Sequence, residues 1–125
     1  DEILAYADRL EAKTLKRPLE YSNDFASSES ALLHFAEIVD FEILVFIQAT
    51  SPLIISEDIN KGINMMMNYD SVVSVTENNQ LLWSNNNPVY EISNRKRRQD
   101  SPQSYLETGG IFITTKSGLN ERKKK

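Results

Sequence analysis

The sequence predicts an α/β fold, because apolar segments of helical and strand character alternate along it. Residues 43–47 (Ile-Leu-Val-Phe-Ile) form an unbroken apolar run, which is typical of a strand covered on both faces, as in a parallel sheet between helices. Helical spacing precedes this run at residues 27–39 and follows it at residues 56–67. A β-branched segment then occupies residues 71–76. Helix, strand, helix and strand in this order predict a βαβ crossover.

Composition indicates one domain and excludes several kinds of chemistry. The chain has 125 residues, 40% of them hydrophobic, which is enough for one core and short for two. Cysteine is absent, which excludes disulfides, and the single histidine, His34, argues against a histidine metal site or a Ser/His/Asp triad. We interpret His34 as a partly buried structural residue. No apolar run could cross a membrane and Asp1-Glu2 does not begin a signal peptide, so we expect a cytoplasmic protein.

Positive charge is clustered in a chain whose net charge is −4. Four cations are consecutive: Arg95, Lys96, Arg97 and Arg98. A basic cluster in an acidic domain favours a local anionic ligand over a nucleic-acid surface, which usually needs a broadly basic face. A nuclear localisation signal is the alternative for the same cluster and would place a eukaryotic protein in the nucleus. The basic end, residues 122–125, is interpreted as a solvated tail.

Capping signals locate the helices. Residues 1–14 have helical apolar spacing, Ser27 or Ser28 is the expected cap of the second helix, and Ser56 that of the third. We expect Ile59, Ile63, Met66 and Met67 to form the inner face of the third helix. The serine-rich start of the second helix is either plain capping or a place where amides and hydroxyls meet a ligand.

Two further segments have weaker signals. Residues 77–94 are rich in Asn, Gln and Ser and contain the single Trp83, which either anchors an interface or fixes the loop to its own domain. Residues 111–114 (Ile-Phe-Ile-Thr) predict a last strand, and Gly109-Gly110 before it permits close backbone approach.

Polar residues directly follow the best strand. Gln48, Thr50 and Ser51 lie where residues 42–48 would leave the carboxyl end of a sheet, the edge at which α/β folds bind ligands. An ordinary polar loop broken by Pro52 is the alternative. Arg17 similarly has two interpretations, a phosphate or carboxylate ligand and a simple surface arginine.

Six ordered segments together point to a known family. They are Arg17-Pro18, residues 26–34 (Ala-Ser-Ser-Glu-Ser-Ala-Leu-Leu-His), residues 48–53 (Gln-Ala-Thr-Ser-Pro-Leu), residues 69–75 (Tyr-Asp-Ser-Val-Val-Ser-Val), residues 97–102 (Arg-Arg-Gln-Asp-Ser-Pro) and residues 107–113 (Glu-Thr-Gly-Gly-Ile-Phe-Ile). In this order they resemble the central part of the acylneuraminate cytidylyltransferases, or CMP-sialic acid synthetases. The matches span most of the chain.

The resemblance implies a fold and a reaction. The fold would be a Rossmann-like nucleotidyltransferase domain of the nucleotide-diphospho-sugar transferase type, a doubly wound three-layer α/β/α sandwich, with residues 1–125 forming one incomplete domain. The reaction would transfer CMP from CTP to the anomeric hydroxyl of a nonulosonic acid such as N-acetylneuraminate, release pyrophosphate and use Mg²⁺. Residues 77–99 would form the arm of a homodimer.

The resemblance also assigns residues. Arg17 and Ser28 would lie near the nucleotide, with Ser28 toward the cytosine. Gln48 would face the sugar acid, Arg98 and Gln99 would meet the sugar or its carboxylate, and Phe112 would line the sugar pocket. Arg98 would serve the neighbouring subunit if the arm reaches across the dimer.

The chain departs from the family pattern at several points. The Gly-rich phosphate loop and the metal-binding Asp-x-Asp of the family are not in the sequence, so the Mg²⁺ ligands are expected outside it and the isolated chain is expected to have little activity. Ile54 and Ile55 replace a usual polar pair, and Thr108 replaces a usual Asn. The alternative function is a non-catalytic module that binds sugar acids or dimerises.

Overall fold

The computed structural model describes residues 2–122, which form helices and strands in alternation. The helices are α1 Glu2–Arg9, α2 Ser28–Ile38, α3 Ser56–Met65 and α4 Lys116–Arg122, with short 3₁₀ helices at Leu19–Tyr21, Ile92–Asn94 and Arg98–Asp100. The strands are β1 Ile43–Ile47, β2 Ser71–Asn78, β3 Trp83–Ser84, β4 Asn87–Pro88 and β5 Ser104–Thr115. The chain forms two compact units, one with the residues up to Leu44 and those from Thr114 onward, the other with Val45–Ile113.

The three-stranded sheet is antiparallel between neighbours, with the strand order β1-β5-β2. Before β1, the backbone N–H of Lys116 donates to the carbonyl of Glu42, and after β1 the N–H of Gln48 donates to the carbonyl of Gly110, both at 3.1 Å. The residue before β1 is thus bonded to the residue after β5, and the residue after β1 is bonded to an earlier residue of β5. The two strands therefore run antiparallel. The expectation of a parallel neighbour for β1 was therefore wrong, because the distant strand β5 lies next to it. The three-layer sandwich stays a prediction.

Strand β1 is also less covered than its sequence indicates. Ile43 and Ile47 are 40% and 43% exposed, whereas the unbroken apolar run predicts burial on both faces. Within residues 2–122 this strand lies at one edge of the sheet. An edge position leaves the ends of the strand open to solvent.

The first unit contains α1, α2 and α4. The hydroxyl of Ser27 accepts a hydrogen bond from the N–H of Ser30 at 3.1 Å, which confirms Ser27 as the cap of α2. Helix α1 ends at Arg9, well before the expected residue 14. Glu11 has a φ of 56°, and Ala12 N–H donates back to the carbonyl of Ala7, so a Schellman-type turn stops the helix.

The second unit contains α3, which packs on β2. Ile55 occupies the cap position of α3, so Ser56 is the first helical residue and not the expected cap. Met67 is 84% exposed and does not belong to the inner face of the helix, because α3 ends at Met65. In β5, Ile113 is fully buried, and Gly62 of α3 lies directly against it.

The Asn-rich segment contains a small hairpin. Strands β3 and β4 pair antiparallel through a two-residue turn, Asn85-Asn86, whose φ angles of 50° and 62° fit the turns that join twisted strands. The ring of Trp83 meets that of Tyr90 edge-on at 6.4 Å. Trp83 thus packs within its own segment while remaining 62% exposed. The dimer-arm role of residues 77–99 stays a prediction.

None of the helices within residues 2–122 has the length and hydropathy needed to traverse a lipid bilayer.

Gly62 provides a test of the packing between α3 and β5. A methyl group there would lie 2.5 Å from Cδ1 of Ile113. Overpacking costs about 1–3 kcal/mol, which exceeds the roughly 1 kcal/mol that Ala gains over Gly in a helix. We expect Gly62→Ala to lower the free energy of unfolding, measured with urea. In an Ile113→Val background, which lacks Cδ1, the same substitution should cost clearly less; equal costs in both backgrounds would contradict the contact.

Asp40 provides a test of the first unit. Lys116 Nζ donates to Asp40 Oδ1 at 2.8 Å and lies 5.5 Å from the ring centre of Phe41. This hydrogen bond, and next the charge of Lys116, hold the pKa of Asp40 below its ordinary value of 3.8. A depressed carboxyl pKa stabilises the fold above the unfolded pKa, and the stabilisation is lost as pH falls through the folded value.

We therefore expect Asp40→Asn to lower the melting temperature slightly at pH 7, since both partners reach solvent. The gap between Asp40→Asn and the unsubstituted protein should close as the pH falls below 3.8. Asp24→Asn serves as the control for a simple change in net charge. A gap that is the same at pH 7 and at low pH would refute the ion pair.

Candidate functional site

Gln48 is held in place at the end of β1 by three hydrogen bonds. Its N–H donates to the carbonyl of Gly110 at 3.1 Å, and its carbonyl accepts from the N–H of Ser51 at 3.0 Å. The hydroxyl of Thr50 donates to Gln48 Oε1 at 3.3 Å. The side-chain amide oxygen of Gln48 is therefore bonded within its own loop. The side-chain amide nitrogen can donate to a ligand.

Two glycines of β5 come close to this loop. Gly109 has a φ of +69°, and a Cβ there would lie 3.8 Å and 4.0 Å from the amide oxygen and nitrogen of Gln48. A Cβ on Gly110 would lie 3.2 Å from the hydroxyl of Ser51 and 3.3 Å from Cδ1 of Ile54. The close backbone approach that the sequence predicts at Gly109-Gly110 is confirmed.

A pair of hydroxyls lies beside the same glycines, where β5 meets β2. Ser74 of β2 and Thr108 of β5 lie 2.6 Å apart through their hydroxyl oxygens. The N–H of Ile111 donates to the Ser74 hydroxyl at 2.9 Å, and the Thr108 hydroxyl donates to the carbonyl of Ser74 at 3.2 Å. Sequence reasoning missed Ser74 and noted Thr108 only as a departure. The pair is separated by 34 positions, and no local pattern could have found it.

A cavity of about 580 Å³ adjoins this cluster. Its walls come from the loop after β1, from α3, from β2 and from β5; they include Ser51, Ile54, Ser74, Thr108 and Ile111. Mostly apolar walls with a few converging hydroxyls are typical of small-molecule sites, and the volume suits one. Gln48 precedes the lining residues Thr50 and Ser51 in the sequence but does not itself line the cavity.

Arg98 and Gln99 lie elsewhere in the same unit. They belong to the exposed 3₁₀ helix Arg98–Asp100, and Arg98 lines a second hollow of about 550 Å³ with Gln80, Leu81 and the three preceding cations. Arg97 is paired with Asp100 at 2.6 Å, so part of the cluster's charge is neutralised. The structure does not bring Arg98 to the cavity beside Gln48, since the two hollows share no lining residue.

Phe112 is half-buried in β5, between Ile111 and Ile113. It lines neither of the two hollows. Its predicted role in a sugar pocket stays a prediction.

The predicted nucleotide residues belong to the first unit. Arg17 is exposed, and its Nη1 donates to the carbonyl of Tyr21 at 3.3 Å. Ser27 fills the cap position, so Ser28 is the first helical residue of α2, with an exposed side chain. The ring of Tyr21 lies 5.1 Å from that of His34, whose buried Nδ1 has no hydrogen-bond partner among the described residues. His34 is thus partly buried, as the sequence predicts.

Within residues 2–122 no group of three or more Asp, Glu, His or Cys side chains comes together in a way that could bind a metal. The expectation that Mg²⁺ is bound by ligands outside this chain stays a prediction.

Comparison with known proteins relates the chain to a curated cytidylyltransferase. No family model matches the chain. The chain is 30% identical to N-acylneuraminate cytidylyltransferase B of Danio rerio over 137 aligned residues, which cover 97% of this chain. It spans about a third of that relative's length, 32%.

The match runs along nearly the whole chain, so the chain is similar to a segment of a cytidylyltransferase. This relation supports the acylneuraminate cytidylyltransferase family that the ordered motifs around Arg17, Gln48 and Gly109 predict.

Gly109 provides a test of the site's backbone. A φ of +69° costs an L-residue with a Cβ about 1–2 kcal/mol, and Asn tolerates it better than Ala. We expect Gly109→Ala to lower the free energy of unfolding by about that amount, measured by urea titration, and Gly109→Asn to cost less. If both variants match the unsubstituted protein in stability, the left-handed conformation is not required.

Proposed function

We propose that the protein containing this chain activates a nonulosonic acid of the sialic type. In the proposed reaction the anomeric hydroxyl oxygen attacks the α-phosphorus of CTP, the bond to pyrophosphate breaks, and the hydroxyl proton is lost. The observation that supports this proposal most is the 30% identity to a named acylneuraminate cytidylyltransferase along 97% of the chain. Because the chain spans 32% of that relative, the activity is proposed for the whole protein.

The proposed roles divide between two sets of residues. Arg17 and Ser28 would bind the nucleotide. The positive guanidinium of Arg17 would neutralise part of the phosphate charge. Gln48 would donate its amide N–H to a hydroxyl or carbonyl of the sugar acid, from the position that Gly110 and Thr50 fix. Transfer of this kind depends on positioning and charge neutralisation more than on covalent catalysis by the protein.

Arg98, Gln99 and Phe112 complete the proposed sugar side. The planar fork of Arg98 suits the carboxylate of a sugar acid. Its location in a hollow separate from the one beside Gln48 supports the idea that Arg98 acts on the neighbouring subunit of a homodimer, with residues 77–99 as the arm. Mg²⁺ would supply further charge neutralisation, from ligands outside the described residues. We place the protein in the cytoplasm, or in the nucleus if the basic cluster is an import signal.

A pyrophosphate-release assay tests the proposal. The whole protein is incubated with CTP, Mg²⁺ and a panel of nonulosonic acids, and turnover with at least one acid is expected. No turnover with any of them would refute the proposed function. The 125-residue chain by itself should show little or none. Calorimetry with N-acetylneuraminate and with CTP separates the alternative: binding of the sugar acid without CTP would favour a non-catalytic module.

Arg98 allows a matched test of the sugar side. We expect Arg98→Ala to raise KM for the sugar acid roughly 10- to 100-fold, because a charge-assisted hydrogen bond contributes about 1.5–3 kcal/mol. Arg95→Ala makes the same change of charge in the same cluster and should alter KM less than about threefold, as expected of an exposed charge. Equal effects of the two variants would indicate a general electrostatic role and contradict a specific contact of Arg98.

A further inference from the structure

The hydroxyls of Ser74 and Thr108 form a closed hydrogen-bonded pair between β2 and β5. The two hydroxyl oxygens lie 2.6 Å apart, with either able to donate, and the Thr108 hydroxyl is also within hydrogen-bond distance of the carbonyl of Ser74, at 3.2 Å. The Ser74 oxygen accepts from the N–H of Ile111 at 2.9 Å. The Thr108 oxygen accepts from the N–H of Gly110 at 3.4 Å.

The Ser74 hydroxyl also bonds the backbone of β5. The N–H of Ile111 donates to this side-chain oxygen, and Ile111 is only 8% exposed, so loss of the hydroxyl would remove an acceptor from a buried N–H. The neighbouring Gly109 has a φ of +69°, the kind of local irregularity that accompanies a β-bulge. The Ser74 hydroxyl thus holds β5 together at the point where its backbone deviates from a regular strand.

The irregular part of β5 determines where Gln48 lies. The carbonyl of Gly110 accepts the N–H of Gln48, and the Cα of Gly109 faces the Gln48 amide. A shift of the two glycines therefore moves the backbone of Gln48 and changes the space around its side chain. The hydrogen bonds of the Ser74 hydroxyl go to Thr108 and Ile111, both in β5, so β5 is the route by which Ser74 affects Gln48.

We propose that Ser74 is a positioning residue for the sugar-acid site: its hydroxyl, together with that of Thr108, fixes the Gly109-Gly110 backbone and through it the ligand-facing amide of Gln48. The proposal deepens the proposed function and rests on it where it concerns the sugar acid. Its structural part, the control of Gln48 by Ser74, stands independently of the substrate.

The test compares Ser74→Ala with Ser71→Ala, a matched loss of one hydroxyl from the same strand, in the whole protein. We expect Ser74→Ala to raise the dissociation constant for N-acetylneuraminate at least tenfold in calorimetry, while that for CTP changes less than threefold. Ser71→Ala should change neither. Ser74→Thr keeps the hydroxyl and should restore sugar affinity to within threefold.

Hydrogen exchange supplies a readout that needs no substrate. The amides of Gln48 and Ile111 should exchange at least tenfold faster in Ser74→Ala and at the original rate in Ser71→Ala and Ser74→Thr. Unchanged exchange at Gln48 overturns the positioning role, and so does equal loss of sugar and CTP affinity. If the unsubstituted protein binds no sugar acid, the proposed function fails, and the exchange rates alone decide for or against the control by Ser74. Should Ser74→Ala not fold, Thr108→Val is measured in the same two ways.

Discussion

Strand β5 has to pair with two strands at once while carrying a glycine in the left-handed region. On one side it receives the N–H of Gln48 from the end of β1, and on the other it is bonded to β2 through Ser74. A regular strand could satisfy both neighbours with backbone groups alone, but beside the irregularity at Gly109 the N–H of Ile111 donates to the hydroxyl of Ser74. A side chain on β2 provides the acceptor, and the candidate site depends on it.

The same irregularity explains why small residues surround Gln48. Strand β5 comes so close to the loop after β1 that a Cβ at Gly110 would lie only 3.2 Å from the hydroxyl of Ser51. A side chain larger than glycine at position 110 would therefore be crowded by the loop. The loop in turn keeps its shape through the hydrogen bond from Ser51 to the carbonyl of Gln48. Backbone proximity, short side chains and a fixed amide are therefore parts of one arrangement.

Local features of the structure were predictable from the sequence, and long-range ones were not. The cap at Ser27, the strand at residues 43–47 and the close approach at Gly109-Gly110 each follow from a short pattern, and each is found. The first half of β5 was missed because residues 104–110 contain two glycines and only two large apolar residues, Tyr105 and Leu106, and have no sustained strand pattern of their own. The antiparallel order was missed because strand adjacency depends on contacts between distant segments. The resemblance to the family was predictable from ordered motifs, and Ser74 lies within one of them, residues 69–75, but nothing local there indicates its hydrogen bond to β5.

The hydrogen bond between Ser74 and Thr108 has a consequence for which side chains fit at these two positions. An Asn at position 108 brings an amide with two donors where Thr offers one, so it would need a different acceptor pattern from the residue at position 74. The side chain that fits at one position therefore depends on the side chain at the other, although 34 residues separate them.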